Sequence, residues 1–478
     1  MKMLLMRRIL VGLAALAESA CATNPAASVD AVTHQRAELV EDFEAALQFI
    51  MSTHPDISYS ADPAAIDAKA QAVRDLLEDG MTAPEAWSAM ALMNPVFADA
   101  HVGFRRPIAS VKSYQDEGGA LFPVPVAFDV DGKLRAAASG PGIEAGDEII
   151  AINGITASRI VAHSAPRMRG ETQELGLLIL QRYFPIFYWA QNGGFESYYV
   201  RVRRKRGDVA TVRLAGEASY RRPAKDFVYE QIDERVGLIE VRTFDKERLA
   251  EFRDFLANAF ARISSGGVES LIIDIRANGG GANDVADLLI GYLTDKPYSP
   301  ISSVKARITL GNIQLAPIPG VEPGMVLDLP FTQTRTPPAN LDNRFDGKVY
   351  VLTGRMSYSA AIVFATIIQD LGLGQLAGEP PIGPANQTGQ VQTFTMPNTG
   401  LEALAPLYVF RRPNGDASRS RIEVDIPLED DPLDPSVSVA KLLQVVRQTA
   451  NRPPPEATAN GPVSPTLDVL RNSSERRR

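Results

Sequence analysis

The sequence predicts a multi-domain α/β protein, and three observations carry that reading. Its 478 residues exceed what one hydrophobic core comfortably holds. The apolar pattern changes period twice, from three-and-four spacing over residues 30–95 to alternation over 105–217. Over 228–447 near-continuous apolar runs alternate with amphipathic stretches, the signature of buried parallel strands joined by helices. Hydrophobic content of 45% and charged content of 22% are ordinary for globular chains. A formal charge of −8 and a pI near 5.3 exclude nucleic acid as the main expected partner.

The first 25 residues stand apart. A basic "MKMLLMRR", a nine-residue apolar core "ILVGLAALA" and the small-residue stretch "ESACATNPAAS" have the layout of an export signal, too short to span a bilayer. Loss of residues 1–22 would remove Lys2, Arg7, Arg8 and Glu18 and leave a chain near −10. Cys21, the single cysteine, permits two outcomes: lipid attachment, since "SACATNP" resembles the end of a lipoprotein signal, or plain cleavage near Ala22. Glu18 stands where the lipoprotein signal has leucine. The remaining chain has no cysteine and uses no disulfide.

Residues 26–104 read as a helical domain. "AELVEDFEAALQFIMSTHP" is amphipathic and stops at Pro55; "DPAAIDAKAQAVRDLLEDGM" opens on an Asp-Pro cap and ends at Gly80; "TAPEAWSAMALMNPVF" is opened by Thr82 and Pro84. Residues 105–217 supply short alternating strands such as "PVPVAFDV" and "YYVRVRRKRGDVATVRLAG". Between them "PGIEAGDEIIAINGITASRIV" resembles a PDZ domain, which binds extended chains along a sheet edge. In 228–447 the strands "VGLIEVRTF", "ESLIIDIR" and "KVYVLT" alternate with the helices "ERLAEFRDFLANAFARI" and "NDVADLLIGYL". Residues 448–478, rich in proline, read as a disordered tail.

Three pieces carry chemistry. "DIRANGGGAND", residues 274–284, follows a buried strand, and its glycines let backbone N–H groups turn toward a developing negative charge. It lacks the spacing of a phosphate loop or a dinucleotide fingerprint. "TGRMSYSAAIVFATIIQDLG" runs from a strand into an apolar helix beginning at Ser359 or Ala360. Taken alone, that pattern is best explained by a helix-capping serine, and a nucleophile at a helix N-terminus is the competing explanation. Four histidines, His34, His54, His101 and His163, are the candidate bases; His54 reads as exposed beyond a helix end, and His101 sits in the junction "FADAHVGF". No two histidines are close and no second cysteine exists, so no metal site is expected.

Taken in order, these pieces resemble the tail-specific, or C-terminal-processing, serine peptidases, including their tricorn-core and retinoid-binding-protein relatives. The likeness rests on "FADAHVGF", "IEAGDEIIAING", "LIIDIRANGGG", "YSAAIVFATIIQDLGLGQLAGEPPIG" and "VDIPL". It implies a catalytic core of the crotonase-like ββα-superhelix type. One branch of the family pairs serine with a downstream lysine. Here the corresponding place is near Pro384, and the only lysine after Ser359 is Lys441. The resemblance therefore implies the Ser-His branch: Ser359, rather than Ser357, as nucleophile, His101 as base, and Glu423 ahead of Asp416 as the acid. It also implies an oxyanion hole from the N–H groups of Gly279 or Gly280 and of Ala360. Ile362 and Ala100 depart from relatives that carry glutamate and serine there. The expected activity is an exported, periplasmic or membrane-anchored serine endopeptidase that needs no cofactor, acts on peptides or unfolded proteins, and can form homo-oligomers. The competing readings are a catalytically silent peptide- or lipophile-binding protein on the same fold and a scaffold acting through its PDZ-like part alone.

Overall fold

The computed structural model describes residues 32–218, 225–315 and 318–450. The expected export signal, Cys21 and the tail beyond residue 450 lie outside them.

The N-terminal helices form where the sequence places caps. α1 spans Arg36–Thr53 and buries Leu39, Phe43, Ala46, Leu47 and Ile50 along one stripe. α2, Pro63–Arg74, starts where the Asp62 carboxylate accepts the Ala64 N–H. α3, Ala83–Met90, is opened by a reciprocal capping box between Thr82 and Glu85. The third predicted helix is shorter than expected. It tightens into a 3₁₀ turn and then a short helix at Asn94–Phe97, ended by the left-handed Ala98. That termination starts the junction carrying His101.

The β-rich part is an antiparallel sheet of the strands Val126–Phe128, Leu134–Ala136, Glu148–Ile152, Ser197–Arg203 and Val209–Ala215. Between its third and fourth strands lie a short helix at Ala157–Ser164 and two longer ones, α4 (Gln173–Arg182) and α5 (Phe184–Asn192). α5, "FPIFYWAQN", is apolar all round and buries Phe184 through Ala190. Its Phe187 stacks on Trp87 of α3, with centroids 5.8 Å apart. One apolar core therefore runs from the helical region into the β-rich region, across the boundary expected at residue 104.

The core sheet has six strands in chain order: β1 (Phe227–Asp233), β2 (Val236–Val241), β3 (Ser270–Asp274), β4 (Lys348–Thr353), β5 (Gln375–Gly378) and β6 (Ile426–Pro427). β1 and β2 are antiparallel, and every later pair is parallel. Parallel neighbours need crossovers. α6 (Leu249–Ser265) crosses from β2 to β3, α7 (Asn283–Gly291) lies between β3 and β4, and α8 (Ala360–Asp370) crosses from β4 to β5. β3, "SLIID", is buried at all five positions, as its unbroken apolar run predicts.

A second sheet pairs Ser303–Arg307, Val326–Pro330, Thr388–Thr395 and Glu402–Arg411. The two-residue strand Gly103–Phe104 adds to Ala403 and Leu404. This pairing brings residue 101 beside a segment almost 300 positions later in the chain. Among the described residues no helix is long and apolar enough to cross a membrane.

Candidate active site

β4 delivers the serine turn. Ser357 is fully buried and satisfied, its hydroxyl donating to the Ile275 carbonyl at 2.8 Å and accepting the Gly354 N–H at 3.1 Å. It ties the turn to the end of β3. Ser359 is different in kind. Its backbone has φ 54° and ψ −123°, a conformation that costs an L-residue on the order of 1–3 kcal/mol. A serine held in a strained strand-to-helix turn, with its hydroxyl raised at the N-terminus of the next helix, is the geometry of a nucleophile elbow. The turn is held from both sides. Asn278 accepts the Tyr358 N–H at its carbonyl, and the Gln387 side chain donates to the Ser359 carbonyl at 2.9 Å.

The glycine loop packs directly on this turn. A methyl group added at Gly280 would lie 2.6 Å from Ser359 Cβ, and φ there is +100°. The Gly280 N–H donates to Asn278 Oδ1 at 2.8 Å. The expectation for Gly280 is thereby corrected: it makes room for Ser359, while its N–H is spent on the Asn278 turn. The N–H groups of Gly279 and Ala360 have no acceptor among the described residues. Ala360 is the first residue of α8, where N–H groups find no intrahelical partner and the helix dipole favours negative charge.

His101 meets Ser359. Its Nε2 lies 3.0 Å from Ser359 Oγ, and its ring packs on Tyr358 with centroids 5.0 Å apart. On its other side Nδ1 lies 3.0 Å from Thr388 Oγ1, whose hydroxyl donates to Asp99 Oδ2 at 2.8 Å. A hydroxyl has one proton to give. With that proton on Asp99, Thr388 Oγ1 must accept from Nδ1–H, so Nε2 is the unprotonated nitrogen and faces the serine. Asp99 Oδ1 is 3.6 Å from Nδ1, too long for a direct bond, and instead accepts the His101 N–H at 2.8 Å. Burial holds His101 below its ordinary pKa, against the opposing charge of Asp99 and with that of Arg169. Beside it, half-buried Glu171 accepts the Tyr358 hydroxyl at 2.6 Å and is pushed up to about 7 by desolvation and by the charge of Asp99.

The structure does not bring Glu423 or Asp416 to this imidazole. Both are exposed. Asp416 caps its own turn through the Ser418 N–H and hydroxyl, and the Glu423 carbonyl accepts Gln369. The carboxylate behind His101 is Asp99, reached through Thr388. Asp99 was visible in "FADAHVGF", two residues from the histidine. Thr388 had no sequence signal, because only the pairing of distant strands places it there.

A cavity of about 1220 Å³ opens beside the serine turn between the core and the β-rich part, bounded by Ala277 and Met356 at one end and by Val124, Val126 and Leu214 along its wall.

A strained serine at a helix start, joined to a neutral imidazole and flanked by unpartnered backbone N–H groups, has the arrangement of a serine hydrolase site. Comparison points the same way. Residues 235–428 carry a domain that matches the model of peptidase family S41. The chain is 25% identical over 296 residues to the carboxy-terminal processing protease CtpB of Bacillus subtilis (strain 168), a match covering 60% of this chain and 50% of CtpB, so it spans about half the length of that relative. The structure is similar to mature CPAF, alone and complexed with lactacystin, each with a TM-score of 0.62 at 15% identity over 87% of this chain and 98% of CPAF. At that identity the likeness shows the fold alone.

Proposed function

We propose that this protein is an exported serine endopeptidase that hydrolyses peptide bonds with Ser359 as nucleophile and His101 as general base. The observation that carries the reading is the 3.0 Å approach of His101 Nε2 to the hydroxyl of a serine held at positive φ. In this mechanism Ser359 Oγ attacks the scissile carbonyl carbon while its proton passes to Nε2. The carbonyl oxygen becomes an oxyanion and is met by the N–H groups of Gly279 and Ala360. The imidazolium then returns the proton to the departing amine, leaving an acyl-enzyme. Water, activated by the same Nε2, releases the acid product and restores the serine. Asp99 stabilises the transient imidazolium through Thr388 and fixes the ring tautomer. The β-rich part acts as a PDZ-like module that holds an extended peptide, and the adjoining cavity leads that peptide to the serine. Residues 1–25 direct export, with Cys21 as the point of lipid attachment or the neighbour of the cleavage point.

The test is covalent labelling. A fluorophosphonate probe is expected to label wild type and to leave Ser359→Ala and His101→Ala unlabelled while both remain folded. A wild type that takes no label overturns the reading and favours a binding protein.

A further inference from the structure

The buried carboxylate behind His101 also serves a second histidine. His54 follows α1 as its C-cap, contrary to its reading as an exposed residue, and is 1% exposed. The Asp56 N–H donates to His54 Nδ1 at 3.1 Å, which makes Nδ1 the acceptor and leaves the ring proton on Nε2. Nε2 lies 3.5 Å from Ser60 Oγ, and Ser60 Oγ donates to Asp99 Oδ2 at 2.9 Å. The same Oδ2 takes the Thr388 hydroxyl. Asp99 is therefore gripped by two hydroxyls, each backed by an imidazole N–H: His54 through Ser60 and His101 through Thr388.

We propose that His54 is a positioning residue for the reaction, acting through Ser60 on Asp99; the proposal rests on the Ser359–His101 reading. Nε2–H of His54 occupies a lone pair of Ser60 Oγ and so directs the single Ser60 proton onto Asp99. Chained donors polarise one another, and the carboxylate they hold keeps a fixed direction toward Thr388. Without His54, the Ser60 hydroxyl is free to rotate, Asp99 loses one of its side-chain donors, and the Thr388 link that fixes the tautomer of His101 loosens. The charged groups facing His54 are Asp99 and Asp56 on one side and Arg307 and Arg419 on the other, with Lys305 paired to Asp56. His54 carries out this work as a neutral donor inside a region contributed by the N-terminal helices, so those helices form part of the site.

The experiment is steady-state kinetics across pH on full-length protein, preceded by fluorophosphonate labelling of wild type. His54→Leu is expected to lower kcat about tenfold with KM within about twofold, and to move the acid limb of kcat/KM. His54→Gln, which keeps a side-chain N–H near Nε2, is expected to recover most of the loss. Ser60→Ala removes one oxygen and is expected to copy His54→Leu, and the double variant to be no worse than either single one. Additive losses, or a folded His54→Leu with unchanged kcat and pH profile, overturn the proposal. If His54→Leu fails to fold, Ser60→Ala decides alone, since wild-type kcat and pH profile there remove the link. If wild type takes no label, the catalytic reading fails separately, and the ring-nitrogen NMR signals of His101 report the tautomer instead. An unchanged tautomer in Ser60→Ala then overturns the His54 link.

Discussion

In the proposed reaction Ser359, His101 and Thr388 divide one task. The positive φ of Ser359 raises its hydroxyl, burial keeps His101 neutral, and Thr388 carries the influence of Asp99 across a gap a direct bond does not span. Thr388→Val preserves shape and removes the hydroxyl. It is expected to cut kcat about tenfold or more with little change in thermal unfolding, whereas Thr388→Ser retains most activity; a loss confined to KM would contradict the relay. The pH dependence follows from the direction of the His101 shift. The base must be unprotonated, so activity falls as pH falls, and the midpoint of the acid limb of kcat/KM is expected below 6.5. A pH–rate profile centred above 6.5 would show that the buried imidazole is not the base.

At the scale of elements, the glycine loop after β3 and the start of α8 form one unit. Gly280 has no space for a methyl group against Ser359, so Gly280→Ala must move the turn. It is expected to cost at least about 1–3 kcal/mol in denaturant unfolding and to abolish labelling of Ser359; a labelled, fully stable variant would argue against the close packing. α8 itself illustrates what an apolar pattern can and cannot say. Its burial from Ala360 to Ile368 follows from the run "AAIVFATII", and Ile362 is fully buried. Ile362→Glu would bury a charge and is expected to destabilise by about 3 kcal/mol or more in the same measurement. By itself the pattern is best explained as a plain capped helix. The backbone angles of Ser359, which no residue pattern encodes, separate it from one.

At the scale of the molecule, the site is assembled from three remote stretches. The serine turn comes from the core sheet, Thr388 from the second sheet, and His101 with Asp99 from the junction after the N-terminal helices. Arg276, half-buried just beyond β3, binds both Asp274 and Asp430 and so fastens the start of the glycine loop to the C-terminal segment. His54 adds a global pH effect. Burial lowers it from 6.5 to about 4, so the unfolded chain binds more protons between those values. Stability is expected to be fully present above pH 6.5 and to fall as pH drops toward 4, by on the order of 3 kcal/mol. His54→Gln should flatten this part of a stability–pH curve; an unchanged slope would assign it to other groups.

The sequence by itself determined the class of the protein. Periodicity marked the helices, alternation the β-rich strands, and unbroken apolar runs the buried parallel strands, because each local pattern reports which face of an element meets the core. Ser359 and His101 were singled out by the family resemblance of "YSAAIVF" and "FADAHVGF", whereas the local patterns alone favoured a capping serine and a structural histidine. Tertiary structure decided the rest. Glu423, beside "VDIPL", and Asp416, the better spaced from Ser359, both lie exposed, while the pairing of the strand Gly103–Phe104 with Ala403 and Leu404 draws the His101 junction to the sheet that carries Thr388. Register between strands hundreds of residues apart is set by burial of the whole core, and no local stretch of sequence carries it.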